Sequence, residues 1–425
     1  MKRRSFILGA SALALGQLLA GCGGQNKPTL RVWLLKSSVP ALFLKKFGQS
    51  QSNGVVLDFT AAAQLQDLFD RLVAWKKNPP TENLSWWQHL PFFRSDEKNA
   101  PIADLVTVAD YWLAATIERE LIEPLDPKEF SDWEGQLTDR WRKLVKRDAK
   151  GALDETGQVW GAPYRWGTTA IAYRRDKFKS LGWEPKDWSD LWRPEIRDRI
   201  SIIDQPREAI GLTLKKLGYS YNAKDLAKIS GLKEELQSLN QQVKFYSSDT
   251  YLQPLITGDT WLAVGWSSDI LGVMQRYRQI AAVVPLSGTA LWADLWVRPK
   301  KTRRENTSQK NTDNKTTDNK TTDNKTTGQK TSDPGSSPTK NQLPAEWIEF
   351  CWQRSLAAEF SLISKGASAI LLETMERSQF PKDLQNNSLL LPDAKVIEKS
   401  EFLYPLPPEV AEQYDKLWRE IRRGG

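Results

Sequence analysis

Between Thr29 and Val73 the chain reads strand, helix, strand, helix, and this order constrains the fold more than any other feature. Leu30-Arg31-Val32-Trp33-Leu34-Leu35 is a buried-strand run, and Val55-Val56-Leu57-Asp58-Phe59 is a second. Between them, Ala41 to Phe47 sets Leu42, Leu44 and Phe47 on one side of a helix. After them, Leu65, Leu68, Phe69, Leu72 and Val73 form a second helical stripe. Parallel strands cannot be joined by a tight turn, so strands separated by helices predict a parallel α/β lobe. A third strand, Ala103 to Val108, leads into Ala109-Asp110-Tyr111-Trp112, which opens a helix. In such sheets ligands sit beyond the carboxyl ends of the strands, which is where Asp110 and Tyr111 stand. Asp110 is equally suited to capping the helix.

The pattern returns later in the chain. Thr168 to Tyr173 alternates as a strand does, and Asp204 with Pro206 starts a helix striped by Ile210, Leu214 and Leu217 and closed by Gly218. Glu208 falls in its first turn, where the helix dipole alone would favour a carboxylate.

From Gly258 to Pro299 the chain twice sets a tryptophan close before an aspartate, Trp266 with Asp269 and Trp292 with Asp294, each beside a β-type run. An aromatic face and a carboxylate suit a small organic cation. The ring supplies about 0.5–2 kcal/mol of cation–π attraction, and the carboxylate a charge-assisted hydrogen bond of roughly 1.5–3 kcal/mol. Core tryptophans followed by solvated turn aspartates would leave the same pattern, and these residues alone do not separate the two.

The first residues do not belong to this core. Lys2-Arg3-Arg4 precedes an apolar run from Phe6 to Ala20, too short to span a bilayer that needs about 20 residues, and Gly21-Cys22 follows. Residues 1–21 read as an export signal, and Leu19-Ala20-Gly21-Cys22 resembles a lipobox, which implies a lipid on Cys22. Arg3-Arg4-Ser5-Phe6-Ile7 also resembles a twin-arginine signal, so the Sec and twin-arginine routes both stay open. Residues 22–28 form a short tether. Beyond Cys22 the sole cysteine is Cys351, placed for packing, so no intramolecular disulfide forms in the mature chain. With one histidine, His89, in a loop beside Trp86, Trp87, Phe92 and Phe93, neither a zinc site nor a histidine-based triad can be built. No metal, cofactor or catalytic residue is expected.

Charge excludes another class. The formal net charge is +8, but Lys2, Arg3 and Arg4 leave with the signal, and residues 300–340 hold ten basic and five acidic side chains. The remaining folded part is neutral, so the basic balance does not imply nucleic acid. After Pro299 comes a five-residue polar period, Asn311-Thr-Asp-Asn-Lys315 and its copies to about Lys340. It has no apolar residue to bury and is expected to be a disordered surface insert at about 300–342. Residues 76–100, rich in proline and charge around Trp86-Trp87, read as a surface excursion. A helix from Ala345 to Ser364 then returns the chain to the first lobe.

Taken together, Pro163-Tyr-Arg-Trp-Gly-Thr-Thr-Ala-Ile-Ala172, Trp188 to Pro194, Asp204 to Tyr219, Gly258 to Asp269 and Gly288 to Pro299 resemble the spermidine/putrescine-binding proteins of ABC transporters. These are a branch of the type II periplasmic solute-binding fold, and the likeness covers nearly all of residues 29–425. It implies two α/β lobes around a cleft, with crossovers near Trp166 to Thr169 and Leu291 to Asp294. Lobe 1 would be 29–165 plus 293–366, and lobe 2 would be 166–292 plus 367–425. By motif match Trp33, Tyr111, Glu208, Trp266, Asp269, Trp292 and Asp294 fall on the family's amine site, and Trp166 stands at the first crossover. The implied protein is a lipid-anchored, monomeric, non-enzymatic receptor on the periplasmic side of a bacterial membrane, handing a polyamine to a permease. A sugar, amino-acid derivative or metal chelate in the same fold is the alternative, and an exported carboxylate-pair hydrolase the remote one. The chain departs from the family pattern in having Gln205 for an aspartate, Leu34-Leu35-Lys36 after Trp33, and Gly366-Ala367 for a Gly-Tyr pair.

Overall fold

The computed structural model describes residues 28–51, 55–77, 101–301, 342–372 and 376–423. The expected signal peptide, the Trp86-Trp87 excursion with His89, and the repeat insert therefore lie outside the described residues. In chain order the strands are β1 (Thr29–Leu35), β2 (Val56–Ala62), β3 (Leu105–Ala109), β4 (Ile122–Glu123), β5 (Lys146–Arg147), β6 (Gln158–Val159) and β7 (Ala162–Arg174). They continue with β8 (Ile200–Ile202), β9 (Val243–Tyr246), β10 (Leu262–Trp266), β11 (Ile280–Val283), β12 (Ala290–Pro299), β13 (Ala367–Ser368) and β14 (Glu401–Phe402).

One large sheet runs in the order β2-β1-β3-β12-β7-β10-β8-β9. At one end β1 lies between β2 and β3, parallel to both, and at the other β8 lies between β9 and β10, again parallel to both. Each trio thus has its earliest strand in the middle, a point where the connections diverge and leave a crevice at the carboxyl ends. The two trios are joined by β12 and β7, antiparallel to each other and to their outer neighbours. Residues Ala162–Thr168 of β7 pair with β12, whereas Thr169–Tyr173 pair with β10. β12 changes partner as well, from β14 at Ala290–Leu291 to β3 at Asp294–Val297, with a register shift after Asp294. Both segments expected to carry the crossovers are therefore points of strand exchange.

Strand β7 is longer than alternation at Thr168–Tyr173 predicts. It is buried along both faces from Ala162 to Tyr173, and a strand covered on both sides has no polar face to alternate with. Tryptophan indoles pin the neighbouring segments to it. Trp352 Nε1 donates to the Pro163 carbonyl at 2.6 Å, Trp292 Nε1 to Thr168 at 3.2 Å, and Trp166 Nε1 to Ser368 at 3.1 Å.

The helix expected over Ala345–Ser364 is two, Leu343–Cys351 and Arg354–Ser364, because Gln353 adopts an extended conformation that ends one and starts the other. Both turn aromatic side chains toward the first helix, Ala41–Ser50: Phe47 meets Trp347 with ring centroids 5.0 Å apart, and Phe43 meets Phe360 at 5.3 Å. Cys351 is buried there, and loss of water pushes its thiol well up, as suits a packing residue. At the other end of the sheet, Val410, Tyr414, Trp418 and Ile421 form one stripe of the helix Pro408–Arg423 and pack with Ile210 and Leu214 of the helix Pro206–Lys216. Burying each aliphatic side chain of this kind contributes roughly 1.5–3 kcal/mol. Asp204 does not cap the Pro206 helix as expected. The cap position is Gln205, without a side-chain bond, and Asp204 is exposed with Arg422 4.0 Å away.

Candidate ligand site

The carboxyl ends of β3 and β10 converge on the strand-exchange segments, bringing six of the eight expected residues into one neighbourhood. From β3, Asp110 and Tyr111 form a short turn. Asp110 is 5 % exposed, and its Oδ1 accepts from the Ala293 backbone at 3.1 Å, so it ties the turn to β12. Burial raises its carboxyl to about 7, with the nearby Asp294 charge adding to the rise. Tyr111 is half exposed, at 49 %, and its hydroxyl is pushed up by burial, then by Asp110 and Asp294.

From the other trio, β10 ends at Trp266, and the helix Ser267–Met274 starts immediately, with Asp269 in its first turn. The Tyr251 hydroxyl accepts from the Trp266 backbone at 3.0 Å and donates to Asp269 Oδ2 at 3.1 Å. Its ring fits there because residue 265 is glycine: a Cβ at Gly265 would lie 1.9 Å from Tyr251 Cε2. Asp269 as a residue is exposed, yet its carboxyl is flanked by protein, and that loss of water raises it above the ordinary range. Tyr251, Arg165 and Lys365 oppose the rise. Glu208 lies deeper, 5 % exposed. Its Oε1 accepts from Thr169 at 2.9 Å, and its buried Oε2 makes no well-formed hydrogen bond. Burial lifts Glu208 to about 7, against the Thr169 hydrogen bond, the charge of Arg207 and the approach of the Trp266 side chain.

Asp294 is the departure from expectation. It is not open to a ligand cation, because Arg165 of β7 reaches it at 2.7 Å, with the two side chains 7 % and 3 % exposed. The same guanidinium lies 5.2 Å from the Trp292 ring centroid, so one internal cation occupies both the ring and the carboxylate. Burial raises Asp294 above its ordinary value, opposed by Arg165. The position is shaped for the arginine: a Cβ on Gly366 would come within 2.4 Å of Arg165 Nε and 2.6 Å of its Cγ. The Gly366-Ala367 departure thus has a packing role, with Ala367 pairing to Trp166 across β13 and β7.

Two expected residues are not brought to this place. Trp33 does not end β1, which continues to Leu35. Its ring meets Trp75 of the helix Leu65–Lys77 at 5.6 Å, with the Arg71 guanidinium 4.6 Å from its centroid. Trp166 is 2 % exposed, with its indole tied to Ser368, so it serves the crossover and offers no face to a solute. Lys36 is exposed beyond β1.

Sequence reasoning missed Asp110 as a tie to β12, and it missed Arg165, Tyr251 and Lys365 altogether. The one available signal was the arginine inside Pro163-Tyr-Arg-Trp-Gly167, a charge within a run otherwise written for burial. Nothing near Tyr251 or Lys365 in the sequence marks either as a neighbour of Asp269.

Residues 100–311 match the family model described as bacterial extracellular solute-binding protein. The spermidine/putrescine-binding periplasmic protein of Salmonella typhimurium is 23 % identical over 302 residues, covering 70 % of this chain and 75 % of that protein. A putrescine/cadaverine-binding protein of Pseudomonas aeruginosa is 30 % identical over 133 residues, 30 % of this chain and 38 % of its own length. Among solved structures, a spermidine/putrescine ABC transporter substrate-binding protein of Streptococcus pneumoniae superposes with a TM-score of 0.68 at 17 % identity, covering 93 % of this chain and 98 % of that one. That likeness establishes the shared fold of two α/β halves about a central crevice.

Proposed function

We propose, from the premise that this chain belongs to the bacterial extracellular solute-binding proteins, that it captures an aliphatic amine of the polyamine class and delivers it to the permease of an ABC importer. The two lobes would be residues 29–165 with 293–366 and residues 166–292 with 367–425, closing over the solute about the strand-exchange segments of β7 and β12. The observation that carries the reading is the Asp269 carboxylate. It stands in the first turn of the helix that follows β10, oriented by the Tyr251 hydroxyl, which also holds the Trp266 backbone, and the Tyr251 ring lies 6.2 Å from the Trp266 ring. A carboxylate aimed by a buried tyrosine that also positions an indole can read an ammonium group by charge and by ring face. Micromolar affinity corresponds to about −8 kcal/mol, which a few such contacts with desolvation supply.

The chain acts as a binding protein, without turnover, held at the periplasmic face of a membrane through a lipid on Cys22. Support for the anchor is the Leu19-Ala20-Gly21-Cys22 motif. Calorimetry and thermal shift with putrescine, cadaverine, spermidine and spermine test the assignment. Heat and a raised melting temperature are expected with at least one of them, and silence with all four removes the polyamine reading.

A further inference from the structure

The charge inventory of the site differs from that of a box waiting for a dication. Asp294 is paired with Arg165. The Asp269 carboxyl accepts from the Tyr251 and Ser268 hydroxyls and feels the positive charge of Arg165 and Lys365. Arg207 and Arg147 lend charge to Glu208 and Asp110 while their guanidinium groups donate to backbone carbonyls.

Arg165 is also not a side chain that an incoming ammonium would easily push aside. It is held between the Trp292 ring and Asp294 on one flank and Gly366 on the other, where there is no room even for a methyl group. Its Nε is buried and has no hydrogen-bond partner. That nitrogen is walled in by Gly366, but the 7 % of the side chain left exposed belongs to a group that can only donate, so a hydrogen-bond acceptor is welcome against it, whereas a second ammonium would be repelled.

We infer that Arg165 is a resident cation filling the Trp292–Asp294 box, so that the site takes an amine with a single cationic end. That end is read by Asp269 and Trp266, and an uncharged acceptor, such as the amide of an N-acylated diamine, lies at Arg165. This inference rests on the amine-receptor reading above and narrows it. Lys365, whose Nζ lies 3.4 Å from where a Cβ on Gly272 would stand, adds positive charge at Asp269.

The test compares putrescine with N-acetylputrescine by calorimetry on the purified protein, the Arg165→Met variant and the Arg165→Lys variant. In the natural protein N-acetylputrescine is expected to bind at least tenfold more tightly. Arg165→Met, which frees Asp294, is expected to move the ratio at least tenfold toward putrescine, while Arg165→Lys keeps the natural order. Should Arg165→Met not fold, Gly366→Ala displaces the guanidinium and takes its place. Tighter binding of putrescine to the natural protein, or a ratio unmoved when Arg165 is removed or displaced, overturns the inference and leaves the amine receptor standing. Failure of both compounds and of the unmodified polyamines to bind overturns the receptor reading and the inference with it.

Discussion

Arg165 Nη1 donates to Asp294 Oδ2 across 2.7 Å of protein interior, joining the two strands that connect the halves of the molecule. Removing either partner leaves the other buried and uncompensated, which typically costs about 3–5 kcal/mol. Arg165→Met and Asp294→Asn are therefore each expected to lower the midpoint of urea unfolding, while the double variant loses clearly less than the two together. Strict additivity in that cycle would show that the pair is not coupled.

Asp269 sits differently, on an exposed residue whose carboxyl is held by hydroxyl groups and not by a buried cation. Asp269→Asn is expected to leave the melting temperature within a few degrees of the natural protein but to cost about 1.5–3 kcal/mol of amine binding, a loss of roughly 10- to 150-fold. Tyr251→Phe removes the group that aims the carboxylate and should cost less. Calorimetry with the best-bound amine reads both, and an undiminished affinity in Asp269→Asn would move the ammonium site elsewhere.

Glu208 and Asp110, both held near 7 by burial, make stability depend on pH in an unusual direction. Between their ordinary values and about 7 the folded chain binds more protons than the unfolded one. Stability therefore falls as pH rises through that window, and the penalty is complete above about 7, on the order of 3–4 kcal/mol for each group. Glu208→Gln and Asp110→Asn should each flatten the profile of unfolding free energy between pH 4.5 and 7.5. A bound cation favours ionised Glu208, so amine affinity should rise across the same window with release of protons, measurable by calorimetry in buffers of different ionisation enthalpy.

Cys22→Ser is expected to move the protein from the membrane fraction to the soluble periplasmic fraction without changing its affinity for an amine. Detection of the variant in the membrane fraction at the natural level would remove the lipid-anchor assignment.

Much of the frame was legible in the residue pattern. The strand–helix order up to Val73, the dipole-favoured position of Glu208 and the Trp266–Asp269 spacing are local properties, written within a few turns or strand repeats, and the structure retains them. The break at Gln353 was harder to read, because apolar spacing runs on through it and only the docking of Trp352 on Pro163 bends the chain there.

What the sequence by itself determined is the class of parallel α/β halves and the aromatic and acidic inventory of the proposed cation site. Which of those acids is already neutralised inside the protein was decided only by tertiary structure. Arg165 and Asp294 are 129 residues apart, and Gly366, whose missing side chain makes room for the arginine, is 201 residues from Arg165 along the chain. Periodicity and spacing record what a residue does within its own element. The neutralisation of one carboxylate by a remote cation depends on strand register and on close approach between segments, which no local pattern encodes.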